Sequence, residues 1–148
     1  MPKFGSTSNA RLDTCHDNLQ LLFREVVKHF DCHVVYGHRT REVQAALYAQ
    51  GRTKPGKIVT HCDGVQKLSK HQGVDGEAPS MAVDVVPWYS EAPHIRWGEE
   101  ERMVYFAGFV KGIAQKMGIR VRWGGDWDGD TDTADERFRD LPHFELVQ

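Results

Sequence analysis

Two histidines and an aspartate stand out by type and by position. In "SKHQGVDGEAPSMAVDVVP", which begins at Ser69, His71 precedes a polar, glycine-containing loop, and one carboxylate, Asp84, interrupts an apolar run. Near the other end of the chain, "PHFELV" sets His143 inside a second apolar run. Side chains alternate between faces along a strand. Asp84 therefore shares a face with Ala82 and Val86, while Met81, Val83 and Val85 point the other way. His143 shares a face with Glu145, opposite Phe144 and Leu146. If the two strands are neighbours in a sheet, Asp84 and His143 converge, and His71, on the loop entering the first strand, supplies a third donor. Two imidazoles and a carboxylate suit zinc, and three protein ligands leave a fourth position for water. Such a metal acidifies the water and polarises a carbonyl, and a nearby carboxylate must then take and return a proton. Asp140, just upstream of His143 in "DLPH", is tethered close by, with Pro142 holding Leu141 toward extended backbone. Glu145 is the alternative base, or else it orients His143. Without a metal, the same residues read as a surface loop histidine and a strand aspartate facing solvent.

These donors need a sheet and a loop to bring them together. From Thr14 to about Phe30 the pattern predicts a helix, with Leu19, Leu22, Phe23, Val26 and Phe30 on one face. Thr14 is expected to cap it, with Asp17 at its positive end. "CHVVYG" reads as a strand ending at Gly37, and Thr40 caps a second helix, "REVQAALYAQ", which Gly51 terminates. Residues 51–80 show neither period and predict a long polar loop, which in a compact domain is functional or disordered. "MAVDVV", stopped by Pro87, is a second strand. "GEEERM" opens a third helix whose apolar stripe runs from Met103 to Met117 and which Gly118 ends. "IRVRW" and "PHFELV" are the last strands. Helices and strands mix without regular alternation, which predicts an α+β fold rather than a doubly wound sheet.

At 148 residues, 40% of them hydrophobic, the chain predicts one domain spanning 1–148 with a core that needs no disulfide staples. A formal net charge of -2 gives no global drive toward nucleic acid. No apolar run reaches the length of about 18 residues that a membrane helix needs, so no stable membrane insertion is expected. The N-terminal stretch lacks the apolar centre of a signal peptide, so synthesis in the cytoplasm is expected. Cys15, Cys32 and Cys62 are odd in number and lack C-x-x-C spacing, so they read as free thiols. In "DWDGDTD", Asp126, Asp128, Asp130 and Asp132 have the alternating spacing of calcium loops, but Arg137 stands where an EF-hand has its closing glutamate. A solvated acidic turn and a regulatory Ca2+ site are both readings of it. Lys54, Lys57, Lys67 and Lys70 on the long loop are either solubility charges or attractors for substrate carboxylates.

Taken together, these segments resemble the zinc D,D-carboxypeptidase and L-alanyl-D-glutamate peptidase family. "SKHQ…AVDVVP" resembles its S-x-H-x6-D metal motif. "DLPHFEL" resembles its second motif, in which an acidic residue precedes the last histidine ligand. "YGHRTREVQAALYAQG" resembles its "SGYRS…EQ…LY…G" segment, and "WGGDW" a stretch just upstream of the last motif. The likeness spans roughly residues 32–147 and points to single-domain phage endolysins. It implies a small α+β domain of the D,D-peptidase/hedgehog-like kind, with a central antiparallel sheet that carries the zinc and is flanked by helices. It implies one Zn2+ held by His71, Asp84 and His143, with Asp140 as general base. Arg39 aligns with an arginine that binds the substrate carbonyl or the oxyanion, a role suited to a fixed guanidinium. Ser69 and Gln44 lie in matched segments as candidate substrate-binding residues.

The implied activity is hydrolysis of the L-alanyl-D-glutamate bond in peptidoglycan stem peptides, with lysis of the host wall. D-alanyl-D-alanine cleavage shares the motifs, and relatives that hold zinc without catalysis share the fold. The likeness further implies a monomer without a separate wall-binding domain, released to the cell wall through a holin-type helper. Two departures bear on substrate preference. Thirteen positions separate His71 from Asp84, more than the motif has, so Gly73–Ser80 is read as an insertion, with Asp75 and Glu77 as rival ligands and Ser80 where the family often has glycine. Tyr36 and His38 replace the family's usual residues around Gly37.

Overall fold

An amphipathic helix must lay its apolar stripe on something, and in this chain two helices lay theirs on one face of a sheet. The structure is a computed structural model and describes residues 1–147. Helices α1 (Ser6–Leu12) and α2 (Asp17–His29) lead into strand β1 (Cys32–Tyr36). Helix α3 (Arg41–Ala49) and a long loop with one 3-10 turn (Lys70–Gln72) lead into β2 (Ala82–Pro87). Helix α4 (Glu100–Met117) precedes β3 (Val121–Gly124) and β4 (Asp140–Leu146). The strands form one antiparallel sheet in the order β1-β2-β4-β3, the α+β arrangement expected from the sequence.

The two faces of the sheet differ in chemistry. Val83, Val85, Val121, Trp123, Phe144 and Leu146 join the stripes of α2 and α4 in one buried apolar cluster. Phe144 meets Phe23 edge-on at 5.4 Å between ring centroids and Phe106 at 6.1 Å. Burial of each such ring contributes about 1.5–3 kcal/mol. Asp84, His143 and Glu145 take the opposite face, and the register pairs Asp84 with His143 and Ala82 with Glu145. Helix α4 stops where Gly118 adopts the left-handed conformation (φ 71°), a backbone state that costs a glycine little.

Several boundaries depart from the sequence reading. Helix α1 is additional. It is short, and its buried positions are Ser8 and Leu12, so its apolar signal is faint. Its task is polar: Ser8 Oγ accepts the Val34 N–H at 3.0 Å and Arg11 Nη1 donates to the Val34 carbonyl at 2.9 Å. These bonds satisfy both backbone groups of Val34 in the middle of the edge strand β1, where they would otherwise stand open to pairing. Thr14 does not cap α2. His16 does, its Nδ1 accepting the Asn18 N–H at 3.1 Å. Thr14 Oγ1 donates to the Arg11 carbonyl at 2.6 Å and accepts the His38 N–H at 2.8 Å, tying α1 to the end of β1. Strand β4 begins at Asp140 and so includes it. Among the described residues, no helix is long and apolar enough to cross a membrane.

Candidate metal centre

Strand pairing sets Asp84 beside His143, and a capped turn delivers His71 to them. Ser69 Oγ accepts the His71 N–H at 3.2 Å, while Gln72 Oε1 accepts the Ser69 N–H at 2.9 Å, closing a capping box around the turn. The His71 ring is then oriented by its Nδ1, which donates to the Gly37 carbonyl at 2.9 Å and leaves the Nε2 lone pair 3.1 Å from Asp84 Oδ1. His143 uses its nitrogens the other way round. Its Nε2 donates to Glu145 Oε1 at 2.9 Å, and its Nδ1 lies 3.3 Å from the same Asp84 oxygen. The three donor atoms lie within 4.8 Å of one another and all three residues are buried. Zinc with bonds of about 2.0–2.1 Å spaces tetrahedral ligands about 3.3 Å apart, so this donor set fits the ion in type and in spacing. Glycine is required at position 37, because a Cβ there would run into the Arg11 carbonyl and Thr14 Oγ1 and displace the group that orients His71.

The electrostatics follow from packing charges without water. Burial works against ionisation of Asp84, but His71 and His143 outweigh it and hold the carboxyl well below the usual carboxylate range. Burial likewise works against a charged His143, yet hydrogen bonds to Asp84 and Glu145 raise its pKa to about 9 in the metal-free protein. That lies above the value of about 6.5 for an unfolded histidine. The stabilising contribution of the proton is therefore complete below about pH 6.5 and is lost as pH climbs toward 9. The metal-free protein is expected to lose stability over that interval, as read by denaturant midpoints at stepped pH. A zinc ion held there would have to displace the same proton, so binding at pH 7 is expected to release it, as read by calorimetry in buffers of differing ionisation enthalpy. A flat stability profile or proton-neutral binding would contradict this account of His143.

Around the three donors lies a cavity of about 680 Å³. Arg39 lines it and serves the site twice. Its Nη2 donates to Asp84 Oδ2 at 3.1 Å, which leaves Oδ1 for the histidine side, and its Nε is buried without an acceptor. Asp140 Oδ2 stands 3.9 Å from His143 Nδ1. Burial, and next the charge on Asp84, raise the Asp140 pKa above the usual carboxylate value. Burial opposes ionisation of Glu145, but the hydrogen bond from His143 outweighs it and keeps Glu145 ionised. Glu145 thus meets the ring on its Nε2 side, away from the shared Asp84 oxygen. Gln44 is fully buried, its amide donating to Thr60 Oγ1 and the Cys62 carbonyl and its Oε1 accepting from Arg39 Nη1 at 3.4 Å. It braces Arg39 and the long loop together.

Residues 1–147 match the family described as phage L-alanyl-D-glutamate peptidase. The chain belongs to that family. The peptidoglycan L-alanyl-D-glutamate endopeptidase CwlK of Bacillus subtilis is 30% identical over 120 residues, which are 81% of this chain and 63% of the relative, so the chain spans less than two thirds of that protein. The L-alanyl-D-glutamate peptidase of Escherichia phage T5 is 27% identical, with 98% of each chain covered. The crystal structure of the L-Ala D-Glu endopeptidase ChiX of Serratia marcescens has the same fold, with a TM-score of 0.65 at 23% identity over 98% of this chain and 90% of that one.

Within this member of the phage L-alanyl-D-glutamate peptidase family, the rival donors fall away from the centre. Asp75 and Glu77 are exposed on the loop between His71 and β2, and Asp75 Oδ1 accepts the Glu77 N–H at 3.1 Å. Carboxylate oxygens of Asp126, Asp128 and Asp130 come within 4.8 Å of one another, and Asp132 does not join them. These carboxylates accept N–H groups of their own loop, as Asp126 does from Gly129 and Thr131. Phe138 and Arg122 line the cavity without having been singled out from the sequence, beside Tyr36, one of the departures noted around Gly37, and Trp127. Trp127 stands 5.4 Å from the His143 ring, and its "WGGDW" segment was the signal for it. Tyr36 lies under the Arg39 guanidinium at 4.6 Å.

Proposed function

We propose that this protein is a zinc-dependent peptidase that hydrolyses the L-alanyl-D-glutamate bond of peptidoglycan stem peptides and thereby lyses a bacterial wall. The observation that carries the reading is the convergence of His71, Asp84 and His143 in a single cavity, with the Asp140 carboxylate on the Nδ1 side of His143. His71 Nε2, Asp84 Oδ1 and His143 Nδ1 would hold the ion. When bound, zinc acidifies a water and polarises the amide carbonyl. Asp140 takes the proton from the attacking water and returns it to the leaving amine. Its raised pKa brings it nearer to neutrality, where one carboxylate can both accept and release a proton. The Arg39 guanidinium, which lines the cavity, is assigned to the carbonyl oxygen as negative charge develops there. Ser69 supports His71, and Glu145 fixes the His143 tautomer.

Zinc alone is proposed as the resident metal. Calcium at the Asp126–Asp132 loop would announce itself as a rise in Tm on titration after chelation. The acting form is proposed to be a monomer that reaches the wall through a holin-type helper, with recognition left to this one domain. Purified peptidoglycan treated with the zinc-loaded protein is expected to yield fragments with new alanine C-termini and new glutamate N-termini by mass spectrometry, and none after chelation. Release of terminal D-alanine would move the assignment to the carboxypeptidase reading. Intact peptidoglycan despite bound zinc would leave a metal-holding module.

A further inference from the structure

The cavity is asymmetric across the sheet, and the asymmetry fixes which end of a substrate lies where. Arg39 and Tyr36 bound it on the β1 side, while Asp140 opens β4 and pairs with Gly124 at the end of β3. The group that returns a proton to the leaving amine is Asp140, so the residue contributing that amine lies toward β3. Two cations line the cavity near Glu145, Lys70 on the long loop and Arg122 on β3, and the sheet fixes the place of the second. Arg122 is paired with Glu145 across the β3–β4 ladder, which puts its side chain on the sheet face of His143 and Asp84 rather than with Val121 and Trp123 in the core. It lines the cavity and is 42% exposed. Its one ion pair among the described residues is with Glu145 Oε2 at 3.7 Å, beyond good hydrogen-bond distance. Most of its five N–H groups are thus uncommitted. Arg39, by contrast, is tied to Asp84 and Gln44.

The leaving residue under the proposed function is a glutamate, and an inference about it rests on that reading. Glutamate bears two carboxyl groups. A stem peptide that continues through one of them leaves the other free, a few bonds from the amine released. We propose that Arg122 is a specificity-determining residue that binds this free carboxylate, so that the enzyme prefers an ionised glutamyl residue to one whose free carboxyl has been amidated. A guanidinium presents a planar pair of donors that matches a carboxylate and has no comparable match to a neutral amide.

The test uses two synthetic peptides, each L-Ala–D-Glu–L-Ala joined onward through the glutamate side-chain carboxyl, one with a free α-carboxylate and one with a primary α-amide. The zinc-loaded protein is expected to favour the carboxylate peptide by about tenfold in kcat/KM. Arg122→Gln is expected to bring the ratio of the two close to one, chiefly through a raised KM for the carboxylate peptide. Arg122→Lys is expected to keep part of the preference, because it keeps the charge without the fork. Equal cleavage of both peptides by the unaltered protein would overturn this inference and leave the proposed function standing. So would an Arg122→Gln variant that lowers both rates alike, which would mark Arg122 as a mere support for Glu145. Cleavage of neither peptide at the alanyl–glutamyl bond would overturn the proposed function and this inference with it.

Discussion

Asp140→Asn is expected to lower the rate of wall hydrolysis by roughly 10²–10⁴-fold, the range that a positioned acid–base group contributes, with the zinc content unchanged. Asparagine fills the same space but neither takes nor returns a proton. The same change is expected to stabilise the metal-free protein at neutral pH. Burial and the neighbouring Asp84 raise the folded pKa of Asp140, so the folded chain holds that proton more tightly than the unfolded chain does. The associated stability is present below about pH 4 and is lost as pH rises through the folded value. At pH 7 the ionised carboxylate is a net cost to folding, and a neutral isostere removes it. Activity lost together with zinc, or a Tm that falls, would show Asp140 to be structural instead. Retention of hydrolysis would move the base assignment to Glu145.

Asp84→Ala is expected to have the largest effect on the fold itself. Asp84 is 6% exposed and is the common partner of Arg39, His71 and His143. Its removal strands the Arg39 guanidinium inside the protein, and breaking a buried pair from one side costs about 3–5 kcal/mol. For a chain of this length, that predicts a Tm lower by roughly 10 °C or more. Because its pKa is depressed in the folded state, the contribution of Asp84 is complete above about pH 4 and fades only as strong acid protonates it. Zinc binding is expected to disappear in the same variant. A variant that melts as the unaltered protein does, with its metal intact, would separate Asp84 from the centre altogether.

Much of the centre was legible because strands alternate. An aspartate and a histidine embedded in otherwise apolar strands must share the face that the core does not use, and the register sets Asp84 directly across from His143. His71 was harder, because no periodicity governs a loop. Its place depends on a capping box closed by Ser69 and Gln72 and on the Gly37 carbonyl. Its position on the loop entering β2 made it the candidate third donor, and the family motif agreed. Helix α1 escaped notice because one of its buried positions is a serine working on a strand edge. The His16 cap escaped because a threonine nearby was the better candidate by type, and that threonine was bound to Arg11 and His38. Arg122 reads in sequence as the ordinary polar residue of a half-buried strand. Only the order of strands in the sheet turns it toward the cavity.

Two imidazole nitrogens and one carboxylate oxygen are proposed to hold a single zinc and to leave one corner open. X-ray absorption at the zinc edge of the loaded protein tests this most directly. One zinc per chain is expected, with two imidazole ligands, two oxygen ligands at about 2.0–2.2 Å and no sulfur, and with a weakened imidazole signature in either His71→Ala or His143→Ala. A sulfur ligand from Cys62, or an all-oxygen environment that survives both substitutions, would contradict it.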